Sequence, residues 1–228
     1  MKTVLVTGAS RGIGKAIAEK LCRHYRVIAL DKEVPTHHFF EQFYACDLSH
    51  TQELQETIKQ ITKEIDALYG LVNNAGIFIH KPLNEQSLQD WETIIAVNLT
   101  APYILSQAFA PILKQGHIIN IASTRAFMSE AGTEPYSASK GGIVALTHAL
   151  SISLAGYVSV NSISPGWINT DESYVATVEE QAWHSSGRIG KPSDIAEVVS
   201  FLLEREDGFI TGSDFVVDGG VSKKMVYP

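Results

Sequence analysis

The chain has 228 residues, 45% hydrophobic and 19% charged, which suits one α/β domain with a sizeable core and is too apolar for a disordered chain. A net charge of −7 without any Lys/Arg cluster argues against a nucleic-acid partner, because phosphate binding needs a basic patch. Cys22 and Cys46 form no CxxC and no His/Cys ligand spacing, so they are read as reduced thiols rather than a disulfide or metal site.

The opening MKTVLVTGAS has too short an apolar run for a signal peptide, and no window is expected to reach bilayer length. The expected compartment is the cytoplasm, with no membrane partner. Short β-branched runs then alternate with longer amphipathic ones. In chain order, strands are predicted at 3–7, 26–30, 43–47, 69–73, 117–123, 158–164 and 214–218, and helices at 12–24, 51–68, 87–114, 137–155 and 193–205. In the 51–68 helix, Leu54, Ile58, Ile61, Ile65 and Leu68 recur at spacings of four and three, which sets them on one face. The last helix is expected to start after Pro192 with Ser193 as N-cap. His37 and His38 have no acidic or cysteine partner at ligand spacing, so no metal is expected there.

Most strands are continuous apolar runs, as expected when helices cover both faces of a sheet. Strand and helix alternating throughout imply right-handed crossovers and one α/β domain: a doubly wound parallel sheet, Rossmann-like, in three α/β/α layers. Ligands in such sheets bind beyond the carboxyl ends of the strands, where the order reverses.

The first such end reads TGASRGIG, with Gly8, Gly12 and Gly14. Glycines there allow a tight turn and close approach to a pyrophosphate, and the helix N-terminus offers free N–H groups. Asp31 ends the second strand about 20 residues on, where an acid accepts hydrogen bonds from an adenosine ribose. A 2′-phosphate would meet that carboxylate's charge, favouring NAD, although Lys32 and Arg11 nearby would soften the repulsion and leave NADP possible.

Within EPYSASKGG, Tyr136 and Lys140 stand four apart, on one face of a helix. A phenol titrates near ~10, and bringing it to neutrality takes about 4 kcal/mol. A charge roughly 4 Å away at an effective dielectric of about 20 supplies that much. Small neighbours Ser137, Ala138 and Ser139 leave room, and Gly141 and Gly142 admit another backbone. Spacing alone more often marks two amphipathic surface residues than a catalytic pair.

Taken together, TGASRGIG, NNAG (73–76), NIAS followed by YSASK, PGWINT (165–170) and ITGSDFVVDGG (210–220) resemble the short-chain dehydrogenase/reductase family, in its order and over nearly the whole chain. The resemblance implies hydride transfer between nicotinamide and a carbonyl or alcohol carbon of a small-molecule substrate. It implies Tyr136 as acid/base, Lys140 lowering its pKa and holding the nicotinamide ribose, Ser123 holding the substrate oxygen, and Asn98 supporting a proton-leading water. For Asn98, a local bond to its own backbone is an equal alternative.

The same resemblance places the dinucleotide against Gly8, Ser10, Arg11, Gly12, Ile13, Gly14 and Asp31. It sets Asp47 and Leu48 at adenine, Asn74, Ala75 and Gly76 at the riboses, and Pro165, Gly166, Ile168 and Thr170 at the carboxamide. Substrate contacts are expected from Ser123, Arg125, Glu134 and Trp167, with His80 a further candidate and a short mobile lid at 171–187. Arg125 is read as binding substrate or pairing with Glu130 or Glu134, the ion pair being preferred. Relatives commonly assemble as dimers or tetramers through the 137–155 helix and last strand, and the tail SKKMVYP could reach a neighbour. The alternatives are an NADPH-dependent reductase of 3-oxoacyl thioesters and a non-catalytic NAD-sensing protein.

Overall fold

The computed structural model describes residues 1–35, 38–171 and 173–225. The expectations for His37, for Glu172 in the lid and for the end of the SKKMVYP tail lie outside them. The apolar runs form seven strands: β1 (Thr3–Thr7), β2 (Arg26–Asp31), β3 (Gln42–Ala45), β4 (Leu68–Asn73), β5 (Leu113–Ile121), β6 (Val158–Pro165) and β7 (Asp214–Val217). They pair in parallel in the order β3-β2-β1-β4-β5-β6-β7. The order reverses between β1 and β4, with Val4 opposite Val27 on one side and Gly70 on the other.

Alternation along each strand divides the core in two. Leu5, Ile28, Leu71 and Ile118 face α2 (Thr51–Glu64) and α4 (Ala101–Phe109), where Leu54, Ile61, Leu105 and Phe109 are buried. Val4, Val6, Val27 and Ile163 face α1 (Gly12–Leu21) and α7 (Pro192–Leu203), with Ile17, Leu21, Ile195 and Val199. The remaining helices are α3 (Leu88–Ile95), α5 (Glu134–Ser153), which packs on β6, and the six-residue α6 (Val178–Trp183).

Several predicted boundaries shift. The helix at 51–68 stops at Glu64 because Ile65 turns extended (φ −130°, ψ 131°). Ile65 and Leu68 are buried, but as linker and strand residues. The helix at 87–114 is interrupted: α3 runs into a π turn over Ala96–Thr100 before α4, and Leu113 already belongs to β5. Pro102 follows that turn and lacks the N–H an ordinary helix would use there. The whole helical stretch, Leu88–Ile112, spans 25 residues. It thus reaches the length the sequence reading denied to any window, with Ile94, Val97, Ala101, Leu105 and Phe109 buried in the domain core. Ser193 is not an N-cap. Lys191 holds that position, its N–H donating to Asp194 (2.8 Å), and Pro192 opens α7.

Candidate active site

Strand β1 ends at Thr7, and Gly8 (φ +66°) and Gly12 (φ +55°) turn the chain into α1. A Cβ on Gly14 would lie 2.0 Å from the Gly8 carbonyl oxygen, and one on Gly8 would lie 2.8 Å from Ala75 Cα. Both positions exclude side chains for backbone reasons. The Asn74 side chain donates to the carbonyls of Thr7 (2.9 Å) and Gly8 (3.1 Å), while the Thr7 hydroxyl accepts the N–H groups of Asn74 and Ala75, each at 3.0 Å. The NNAG segment and the glycine turn are one hydrogen-bonded unit across the β1/β4 reversal.

Beside it lies a cleft of about 720 Å³. Of the predicted cofactor residues, Gly8, Arg11, Gly12, Ile13, Gly14, Asp31, Asp47, Leu48, Asn74, Ala75, Gly76 and Thr170 line it, joined by Lys32, Glu33, Cys46, Ile77, Val97 and Asp171. The glycine cradle fits a pyrophosphate on the α1 N-terminus. Asp31 accepts the N–H groups of Ser10 (2.9 Å) and Glu33 (3.1 Å), which fixes its carboxylate at the cleft. Arg11 lies 3.7 Å from the Glu33 carboxylate, so this cation already has an acid beside it. Asp47 is partly buried, which pushes its carboxyl pKa up, but the N–H and hydroxyl of Ser49 (2.9 and 2.7 Å) bring it below the usual value.

Ser10, Tyr136, Lys140, Pro165, Gly166 and Ile168 do not line that cleft. Ser10 serves through its N–H to Asp31. Gly166 leaves space for Asp218, whose Cβ would be 2.6 Å from an added Cβ, and Ile168 bridges to Gly190 on the wall of a second, smaller cavity.

Helix α5 starts at Glu134, so Tyr136 stands in its first turn and Lys140 one turn on. The two share a face, with the ammonium 5.6 Å from the phenol ring centroid. The ammonium is not directed at the phenol oxygen; it donates to the Ile121 carbonyl at 2.8 Å. Burial pushes Lys140 down to about 8. Burial also raises the Tyr136 pKa, opposed by a hydrogen bond with Ser123 and by the charge of Arg125. Desolvation outweighs both opposing influences, and Arg125 is the cation whose charge lowers the phenol here.

Ser123 lies two residues past β5 in extended backbone, and its hydroxyl accepts the Arg125 N–H (3.2 Å) at the start of a 3₁₀ turn over Thr124–Ala126. Asn98 sits on the π turn. Its side-chain oxygen accepts the Ile77 N–H (2.8 Å), and its amide donates to the Ile77 carbonyl (2.9 Å) and the Ser139 hydroxyl (3.1 Å). It bonds neither its own helix nor a local turn, but clamps the loop after β4 onto α5. A Cβ on Gly76 would lie 3.5 Å from both Asn98 Oδ1 and Lys140 Nζ, so these groups meet at the inner end of the cleft.

At the rim, Arg125 pairs with Glu130 (2.6 Å), as preferred from the sequence. Glu134 is exposed and tied to Gln86 (2.6 Å) and the Gly132 N–H (3.4 Å), and His80 bonds the Ala131 carbonyl (3.1 Å). Trp167 stacks obliquely among Tyr174, Trp183 and His184, at centroid distances of 6.0, 6.1 and 6.4 Å. The segment expected to be a lid carries α6, which opens on a Thr177/Glu180 capping box with the Tyr174 hydroxyl on Glu180 (2.6 Å). Sequence reasoning missed three supports. Thr7 was legible only as part of a motif. Phe78 packs edge-on against Tyr136 at 5.0 Å. The buried chain Asn73–Asn120–Thr147 (2.8 and 2.9 Å) links β4, β5 and α5. Its signal was the run of asparagines ending strands.

The family described as enoyl-(acyl carrier protein) reductase matches residues 8–222. The chain is 41% identical to an uncharacterized oxidoreductase of Thermotoga maritima, covering 99% of this chain and 98% of that one. It is 35% identical to the 3-oxoacyl-[acyl-carrier-protein] reductase FabG of Vibrio cholerae, over 96% and 97%. Among solved structures, 4-hydroxyisoleucine dehydrogenase complexed with NADH superposes with a TM-score of 0.89 at 31% identity, over 99% of this chain and 100% of that one. Matched along almost its full length in both sequence and fold, the chain belongs to the short-chain dehydrogenase/reductase family.

Proposed function

We propose that this oxidoreductase, which acts with a nicotinamide cofactor on a hydroxyl or carbonyl carbon, uses NAD and takes Tyr136 as its acid/base. The observation that carries the reading is that Lys140 and Asn98 meet beside Gly76, which lines the cleft opened by the glycine turn, with the Tyr136 ring 5.6 Å from the Lys140 ammonium. A nicotinamide held by the glycine turn, Asp31 and Lys140 would supply hydride transfer and, in its oxidised form, a positive charge. Ser123 holds the substrate oxygen by a hydrogen bond. Tyr136, with its pKa raised by burial, gives its proton to a carbonyl oxygen being reduced; in the oxidising direction it must first lose that proton towards Lys140 and solvent, and the phenolate then takes the proton of the hydroxyl. Lys140, buried and half-way to neutral near pH 8, passes charge between the phenol and solvent, with Asn98 fixing the backbone around that path. Tyr136→Phe should lower kcat by about 10²- to 10⁴-fold with the NADH dissociation constant little changed; activity that survives the change would sink the assignment.

The NAD preference rests on Asp31 and on the Arg11–Glu33 pairing. Asp31→Ala should raise NADPH affinity relative to NADH about tenfold or more, since a like charge facing the 2′-phosphate is removed. Fluorescence titration of both reduced cofactors checks it. The likeness to a 3-oxoacyl-carrier-protein reductase supports a second reading, reduction of 3-oxoacyl thioesters with NADPH, and the same titration on the unaltered protein separates the two. We further propose a cytoplasmic homo-oligomer, dimer or tetramer. Free Cys22 and Cys46 support the compartment, and Ile152 and Phe209, exposed beside α5 and β7, support the assembly.

A further inference from the structure

We propose that Arg125 is the carboxylate anchor of the substrate site, with Glu130 holding the guanidinium until the carboxylate of a hydroxy acid or oxo acid displaces it. This rests on the oxidoreductase reading above and names the substrate class it would serve.

The root of the Arg125 side chain is fixed next to the reacting groups, because its N–H is bound to the Ser123 hydroxyl at 3.2 Å. Its root thus stands beside the Ser123 hydroxyl, which also bonds the Tyr136 phenol, so a carboxylate held by Arg125 would lie on the side of the substrate oxygen that these two groups are proposed to hold. The pair with Glu130 is lopsided. The Arg125 side chain is 24% exposed and that of Glu130 is 68% exposed, with one nitrogen, Nη2, at 2.6 Å from one oxygen. Among the described residues no other acceptor is bonded to the guanidinium. A largely exposed carboxylate is weakly held, whereas a bidentate Arg–carboxylate pair in a sheltered cleft is among the stronger ionic contacts. Exchange of one carboxylate for another conserves charge in the cleft and breaks no covalent bond.

The other charged groups of this rim are committed elsewhere. Glu134 is held by Gln86 and Gly132, and Lys81 is bound to Asp90 at 2.8 and 2.9 Å. His80 is engaged by the Ala131 carbonyl. Arg125 is the rim cation whose partner can leave without undoing a loop. Phe78, half exposed and packed on Tyr136, gives the site an apolar wall for the carbon skeleton between the two polar ends.

The test compares 2-, 3- and 4-hydroxy acids of four to six carbons with their methyl esters, using NAD and the intact protein. The measured quantity is the ratio of kcat/KM for acid and ester, in which any general effect on the phenol cancels. The wild type should favour the acid, and Arg125→Gln should lower the ratio about 10- to 100-fold, the loss expected for a hydrogen-bonded ion contact. Arg125→Lys should lower it less, and Glu130→Gln should raise it. A ratio that changes less than threefold in Arg125→Gln overturns the anchor; one that falls in Glu130→Gln overturns the exchange. If no acid or ester is turned over, hydroxy acids are excluded as the substrate class while the oxidoreductase reading stands, and binding still decides the anchor. With NADH present, succinate should raise the melting temperature of the wild type, and an equal rise in Arg125→Gln, shown folded by circular dichroism, refutes it.

Discussion

Lys140 is 4% exposed, and its ammonium rests on one backbone carbonyl. Its pKa near 8, against about 10.4 in an unfolded chain, makes it a destabilising residue whenever charged. Below pH 8 both states carry the proton and the burial penalty is fully present. Between pH 8 and 10.5 the unfolded chain binds more protons, so stability rises with pH, by up to about 3 kcal/mol. Lys140→Met should lack that rise while losing activity. Denaturant unfolding of both proteins at pH 7.5, 9 and 10.5 checks it, and parallel curves would show that the amine is not buried as described. The pair of Tyr136 and Lys140 was legible from spacing, since a helix fixes which residues share a face. The phenol's environment was not, because desolvation and the placement of Arg125 depend on β5 and α5 meeting, which no local pattern encodes.

At the scale of elements, the π turn over Ala96–Thr100 was the least legible and bears directly on the site. Its signals were Pro102 and an asparagine in an apolar helix, and both fit an ordinary helix equally well from sequence. The wider turn puts Asn98 where it can bond Ile77 on both sides and reach Ser139. Asn98→Ala would leave the partly buried N–H and carbonyl of Ile77 without these partners, at about 1–3 kcal/mol. The expected result is a lower melting temperature together with a fall in kcat larger than any change in NADH affinity. A variant as active as the wild type would confine Asn98 to fold stability. The 51–68 pattern ran past the true helix end for a related reason. Ile65 and Leu68 are as buried as a helix face requires, yet their burial comes from the linker and β4.

Across the whole molecule, the alternation of strands and helices made the doubly wound sheet and its glycine turn readable, because burial on both faces imposes continuous apolar strands. What could not be read was where individual polar side chains end up, such as His117. It is 4% exposed in the middle of β5, edge-on to Tyr69 at 5.2 Å, with Lys2 and Glu206 the charged groups acting on it. Burial, and then Lys2, push its pKa down to about 4, with Glu206 acting the other way. The unfolded chain therefore binds the extra proton between about pH 6.5 and 4, and stability falls as pH drops through that window, by up to about 3 kcal/mol. His117→Phe should flatten this acid limb, measured by chemical denaturation at pH 7, 5.5 and 4.5. An unchanged slope would place the acid sensitivity elsewhere.

The strand order has one further consequence. Asp31 and Asp47 hang from the β1–β3 half, whereas Ser123, Tyr136, Lys140 and Arg125 hang from the half beginning at β4, and Thr7 with Asn74 pins the two together. On the roles proposed above, the residues that choose the coenzyme and those that choose the alcohol thus stand on separate slabs of one molecule. Either choice can be rewritten by substitution while the other is left standing, so long as the seam between them is untouched.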